Sequence, residues 1–281
     1  MLSAVQDLLS FNNCSSHVFR DNGIGKIGVA SFWLGIVGGI HIALLILALV
    51  LVQYDVIVSL LPFDIYMLIQ WSTYMSLLCI FHFLEFFVTA LYQPGNLSYE
   101  SLIINHSEAY TMAATASWLE YWLEIWLFGG VSWKPNVYFC VVGVIFLLVG
   151  QIIRTVAMAT CGEYFAHVIM TKKSNAHKLI THGIYSVLRH PSYFGWFYWS
   201  IGTQILLCNP ICTLLYAYSS WMFFKSRIPY EERLLVEFYG QEYTSYMSRT
   251  VIGIPFVEAF KLQGQGGNGA AYSPLPARET D

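Results

Sequence analysis

Five apolar stretches, residues 24–62, 63–93, 109–130, 135–160 and 193–224, each approach or exceed the roughly 20 residues that a helix needs to cross a hydrocarbon core about 30 Å thick. In hydrocarbon a backbone polar group must find its partner within the protein, and a helix meets that demand inside one segment. Charged residues make up 11% of the 281-residue chain and hydrophobic ones 56%, against about 25% charged in an ordinary soluble domain. The chain therefore reads as all-α, a polytopic integral membrane helix bundle. Stretch 24–62 is too long for one span, and Gly38-Gly39 is the expected place to divide it. Asn209-Pro210 divides 193–224 into a helical hairpin, because proline cannot continue the hydrogen-bond ladder of a helix interior. Six to eight spans follow.

The formal net charge of -3 is unevenly built. Arg20, Lys26, Lys134 and Arg154 are the only basic residues before position 160, and the others lie from Lys172 onward. Because lysine and arginine accumulate on cytoplasmic loops, the C-terminal portion is expected in the cytosol. The start of the chain lacks a basic region and carries Asp7, so no cleaved secretory signal is expected. The six cysteines lack metal-ligand spacing and fall mostly in or beside apolar stretches, as small core hydrophobes do. No metal and no nucleic-acid partner are expected. Three regions result: a transmembrane region over 1–160, a C-terminal region over 161–262, and a tail over 263–281 too rich in glycine, proline and small polar residues to bury a core.

The C-terminal region holds the most unusual local chemistry. Between apolar segments, His177, Lys178, His182, Arg189 and His190 gather within fourteen positions. Ionisable groups beside hydrocarbon are costly and usually mark a site. For Arg189-His190-Pro191-Ser192-Tyr193 the structural alternative is that Pro191 opens a helix, Arg189 reaches to headgroups and Tyr193 joins an aromatic belt. The functional reading adds the free N–H groups of a helix N-terminus, which suit an anionic or nucleotide-like ligand. After the hairpin, Pro229 is expected in the first turn of a new helix, with Glu231 and Glu232 at its positive end and Arg227 just before it. Leu234, Leu235 and Phe238 then share a face. These charges serve either as helix-end electrostatics with a surface ion pair or as anchors for a substrate and a cofactor, and the residues alone leave both open. His82 with Glu85, and Glu120 with Glu124, share helix faces. They are assigned to architecture, met by donors from other helices, and Asn105-His106-Ser107-Glu108 to a polar turn capping the next helix.

Taken together, the sequence resembles the isoprenylcysteine carboxyl methyltransferase family. The resemblance runs through Phe81-His82, Glu85, Asn105-His106-Ser107, Ser117-Trp118-Leu119-Glu120, His167-Val168-Ile169, His177-Lys178-Leu179-Ile180, Gly183-Ile184-Tyr185, Arg189-His190-Pro191-Ser192-Tyr193-Phe194-Gly195, Glu231-Glu232 and Phe238-Tyr239-Gly240-Gln241-Glu242-Tyr243. It covers roughly residues 74–257. It implies an eight-span endoplasmic reticulum enzyme with its cofactor pocket facing the cytosol. Its reaction would be methyl transfer from S-adenosylmethionine to the C-terminal carboxylate of a prenylated cysteine on small GTPases and other CaaX proteins. Carried over by position, the cofactor contacts are His177, Lys178, Leu179, Ile180, Tyr185, His190 and Glu231. Met170 stands where a relative has glutamine, so its contact would come from the backbone. Arg227 matches an arginine associated with the prenylated substrate, and Arg189 joins it as a catalytic candidate. Trp196 and Trp221 are expected to line a lateral entry for a prenyl chain lying in membrane lipid. Two other classes stay open on sequence alone: a nicotinamide-dependent membrane sterol or lipid reductase, and a non-catalytic lipid transporter.

Overall fold

The structure, a computed structural model, describes residues 24–54, 59, 64–104, 107–128, 134, 136–173 and 178–261. Seven α-helices are formed among them: α1 Ile24–Leu51, α2 Ile65–Tyr92, α3 Glu108–Phe128, α4 Val137–Cys161, α5 Pro191–Leu206, α6 Pro210–Tyr239 and α7 Gln241–Arg249. No strand is present among the described residues; one isolated parallel bridge pairs Leu188 with Val251. Short polar side chains start the helices as their chemistry dictates. Asp64 Oδ1 accepts from Tyr66 N at 2.9 Å, Asn136 Oδ1 accepts from Tyr138 N at 3.0 Å, and Ser107 Oγ accepts from Tyr110 N at 3.2 Å. The expected cap at Ser107 is therefore in place, while Asn105 and His106 lie outside the described residues.

Among the described residues, three helices are long and apolar enough to cross a bilayer: α1, α2, and α4 with the turn that extends it to Tyr164. The molecule is a helical membrane protein. Two expectations about helix boundaries are corrected. Helix α1 runs unbroken through Gly38-Gly39. A glycine there costs only about 1 kcal/mol relative to alanine, whereas breaking the ladder in hydrocarbon would leave backbone groups without partners. Helix α6 likewise continues through Pro229 instead of starting there. Phe224 and Ile228, 2% and 0% exposed, pack into the core on the same face just before it, and that burial carries the helix past the missing N–H. The hairpin break falls where expected, with α5 ending at Leu206 and α6 opening at Pro210.

Helices α4 and α5 make the tightest pairing. A Cβ on Gly150 would sit 2.6 Å from Gly195 O, and one on Gly195 would sit 2.6 Å from Gly150 O, so the two backbones touch where side chains are absent. Van der Waals contact between small residues is the main source of association when lipid is as apolar as the partner helix. Around this seam, Phe81 of α2 stacks on Trp199 of α5 at 4.0 Å.

Several polar groups inside the bundle are met from distant parts of the chain. Arg154 Nη2 donates to Glu85 Oε2 at 2.8 Å, and His82 Nδ1 lies 2.9 Å from Leu102 O. Glu120 accepts from the N–H groups of Ile211 and Cys212, each at 2.7 Å, and so caps α6 from α3. Lys134 pairs with Glu124 at 2.7 Å. These carboxylates meet donors from distant parts of the chain, as their sequence setting suggested.

Candidate active site

The candidate site lies where α4 ends. Its walls come from four pieces of chain: residues 161–170 after α4, the loop from Lys178 to Tyr193, the face of α6 from Glu231 to Tyr239, and Tyr243 and Tyr246 of α7. Two backbone features bring them together. Gly240, at φ 56°, ends α6 and turns the chain directly into α7, a left-handed conformation that glycine adopts without steric cost. Downstream, the strand-like pairing of Arg189 N with Val251 O and of Val251 N with Val187 O, both 3.0 Å, ties the loop to the segment after α7.

Two adjacent glutamates serve different partners. Successive helix residues are separated by about 100°, so Glu231 and Glu232 cannot face the same way. Glu231 lines the cavity and its Oε2 accepts from Tyr193 Oη at 2.6 Å. Tyr193 Oη in turn accepts from Arg227 Nε at 2.8 Å, and Arg227 Nη2 donates to His167 O at 2.7 Å. Glu232 is 0% exposed. It accepts from Arg189 Nε at 2.5 Å and from Phe260 N at 2.7 Å, and its Oε1 lies 3.2 Å from His190 Nε2. Glu232 lies beyond the apolar part of α6. Burial alone would raise its carboxyl, but the hydrogen bonds and charges of His190 and Arg189 outweigh that and hold it below the ordinary carboxylate value.

Three tyrosines form the base. Tyr246 Oη donates to Tyr185 O at 2.7 Å, and Tyr185 Oη donates to Ala157 O at 3.3 Å. Tyr243, 1% exposed, has a hydroxyl with no hydrogen-bond partner among the described residues. Burial pushes all three phenols well above their usual value, so each is a neutral O–H at pH 7.

Of the expected cofactor contacts, Met170, Lys178, Leu179, Ile180, Tyr185, His190 and Glu231 all line this one cavity, together with Arg189. His177 lies outside the described residues. Arg227 stands one side chain behind the wall, reaching it through Tyr193. Trp196 and Trp221 are among the aromatics around Phe224, where Trp221 Nε1 donates to Pro255 O at 2.9 Å, and neither is on the cavity wall. Arg189 touches the cavity with its guanidinium committed to Glu232 and Thr250 O. Sequence reasoning gave no role to Tyr243 or Tyr246, although their spacing places both on one face of α7. Among the described residues no group of three histidines, cysteines or carboxylates could hold a metal ion.

The cavity joins aromatic and aliphatic walls to two cations, Lys178 and the Arg189 already bound to Glu232, and to one carboxylate, Glu231. Such a lining suits a zwitterionic ligand with a flat ring and hydroxyls.

Comparison with known proteins gives this geometry a setting. Residues 142–237 match the profile of the isoprenylcysteine carboxyl methyltransferase (ICMT) family. Over 192 residues, or 67% of the chain, the sequence is 45% identical to a protein-S-isoprenylcysteine O-methyltransferase of Tribolium castaneum, and the match spans 66% of that protein's length. It is 43% identical to the Homo sapiens protein of the same name over 69% of the chain and 68% of that protein. With the Saccharomyces cerevisiae protein of that name, identity is 35% over 85% of the chain and 94% of that protein. The fold is similar to the solved structure of a eukaryotic intramembrane Ras methyltransferase, with a TM-score of 0.68 and 37% identity, covering 92% of this chain and 88% of that one.

Proposed function

The chain belongs to the isoprenylcysteine carboxyl methyltransferase family, and from that premise we propose that it methylates the C-terminal carboxylate of a prenylated cysteine with S-adenosylmethionine as donor. The observation that carries this reading is the single cavity in which Lys178, Glu231, Leu179, Ile180 and the three tyrosines converge at the end of a membrane bundle. The residues fit such a donor. Lys178 suits its carboxylate, Glu231 its ammonium or ribose hydroxyls, the aromatic walls its adenine, and the buried Tyr243 hydroxyl is free to bond to it.

When bound, S-adenosylmethionine supplies an electrophilic sulfonium methyl group. That methyl group would pass to the substrate carboxylate, which is already ionised at neutral pH and needs no general base. The products would be a methyl ester and S-adenosylhomocysteine, with the bonding pair retained by sulfur. The protein's share is placement. Holding two reactants in line can supply on the order of 7–11 kcal/mol. Glu231 and Arg227 clamp Tyr193 Oη from two sides and so fix the wall nearest the start of α5. Of the five N–H groups of its guanidinium, Arg227 spends two on these contacts, and those with no partner among the described residues would steer the carboxylate.

Lys172, Lys173, Lys178, Arg233 and Arg249 lie in or beside the chain segments that line this cavity, which supports a cytosolic orientation, and we place the enzyme in the endoplasmic reticulum membrane. Each buried CH₂ of a lipid tail contributes about 0.8 kcal/mol, so a farnesyl or geranylgeranyl chain stays in the bilayer and must approach laterally. The test is transfer of labelled methyl from S-adenosylmethionine to N-acetyl-farnesylcysteine by purified protein in detergent with lipid. A base-labile ester that is absent with unprenylated cysteine is expected. Well-folded protein that gives no ester overturns the proposal.

A further inference from the structure

Tyr243 presents a side chain 1% exposed whose hydroxyl meets no hydrogen-bond partner among the described residues, although it belongs to the cavity wall. The neighbouring tyrosines do not share this state. Tyr185, Tyr193 and Tyr246 each spend the hydroxyl on a protein acceptor. Leaving a buried hydroxyl unpaired is unfavourable, and phenylalanine would fill the same space without that penalty. The ring itself is well placed for reasons of packing, tilted against Tyr246 at a centroid distance of 5.8 Å. Packing therefore accounts for an aromatic ring at position 243 and leaves its oxygen unexplained.

We propose that Tyr243 is a cofactor-positioning residue whose O–H donates a hydrogen bond to an oxygen or nitrogen acceptor of the bound S-adenosyl ligand. This rests on the methyl-donor reading above. The hydroxyl keeps its proton at neutral pH because burial disfavours the phenolate, so it acts as a donor. Its fixed position comes from α7, which Gly240 and the Arg189–Val251 pairing hold against the loop. A donor held in this way constrains where the ligand lies along the cavity, and hence where the reacting methyl group lies relative to the substrate carboxylate.

The experiment is calorimetric titration of S-adenosylhomocysteine into the full chain in detergent with lipid, for wild type and Tyr243→Phe, with thermal unfolding of both ligand-free proteins. Tyr243→Phe is expected to bind about tenfold more weakly, while its ligand-free melting temperature is equal to or above that of wild type. In turnover, the KM for the methyl donor should rise more than kcat falls. Tyr246→Phe serves as the contrast: loss of its bond to Tyr185 O should lower the ligand-free melting temperature. Equal affinity of Tyr243→Phe and wild type overturns the proposal, and means that the hydroxyl is satisfied by water alone. A fall in its ligand-free stability also overturns it, by making the hydroxyl structural. Failure of folded wild type to bind S-adenosylhomocysteine removes the donor reading itself, and the proposal falls with it.

Discussion

Replacing Glu232 with alanine should unfold the cavity from behind. The carboxylate is 0% exposed, and its loss leaves three groups without their acceptor: the Arg189 guanidinium, the His190 ring and the Phe260 N–H. The Arg189 side chain is itself only 7% exposed, so the substitution strands a buried positive charge. Breaking a buried pair from one side costs about 3–5 kcal/mol, most of it the penalty on the partner left behind. At about 2–4 °C per kcal/mol for a protein of this size class, the melting temperature should fall by roughly 6–20 °C. Thermal unfolding in lipid-supplemented detergent, followed by tryptophan fluorescence, measures it. Glu232→Gln, which keeps the volume and one acceptor, should fall between the two. Glu231→Gln should melt close to wild type, because its carboxylate opens onto the cavity. The pH dependence has a definite sign. Since the folded-state value of Glu232 is depressed, its stabilising share is fully present above the ordinary value of 4.5. That share is lost as pH falls through the lower folded-state value. Wild type should therefore lose more stability than Glu232→Ala on acidification below about pH 4.5. A Glu232→Ala protein that melts within about 2 °C of wild type would refute the reasoning, since no buried charge could then have been stranded.

Arg227→Ala should lose most turnover while retaining affinity for S-adenosylhomocysteine, because Arg227 touches the cavity only through Tyr193; collapse of cofactor binding with unchanged substrate KM would contradict its assigned part. Gly195→Ala should abolish monodisperse folded protein in size-exclusion chromatography, its Cβ meeting Gly150 O at 2.6 Å and Arg154 N at 2.8 Å. Gly39→Ala, with nothing within 4 Å, should be neutral or stabilising by about 0.5–1 kcal/mol. Glu120→Ala removes both acceptors for the first N–H groups of α6 and should cost about 0.5–2 kcal/mol, measured as a few degrees in thermal unfolding with turnover per folded molecule unchanged.

Much of the site was legible because its residues are close in sequence. Lys178, Leu179, Ile180, Tyr185, Arg189 and His190 occupy one short polar loop between apolar segments, and all of them reach the same wall. Glu231 stands out in sequence beside Arg227 and Glu232, and the resemblance added Met170 from elsewhere in the chain. The separate roles of Arg189 and Arg227 were not legible. Both are cations near the polar end of the molecule, and only their partners, Glu232 for one and Tyr193 with His167 O for the other, tell them apart. Tyr243 was not assigned for a similar reason: its interest lies in a hydrogen bond that none of the described residues makes, and no sequence pattern reports that.

The sequence by itself determined the features that depend on local chemistry. Apolar stretches of spanning length fix helices in a bilayer, Asn209-Pro210 breaks one stretch into a hairpin, and Asp64, Ser107 and Asn136 start helices with their own side chains. Tertiary structure decided whatever required a distant partner. It carried α6 through Pro229 because Phe224 and Ile228 are buried against other elements. It also sent Glu231 to the cavity and Glu232 to Arg189, 43 residues away. Helix sterics and capping act within a few residues, so they can be read along the chain. The choice of partner for a buried charge depends on which elements the packed bundle brings within hydrogen-bond reach, and that distance is set only when the chain has folded.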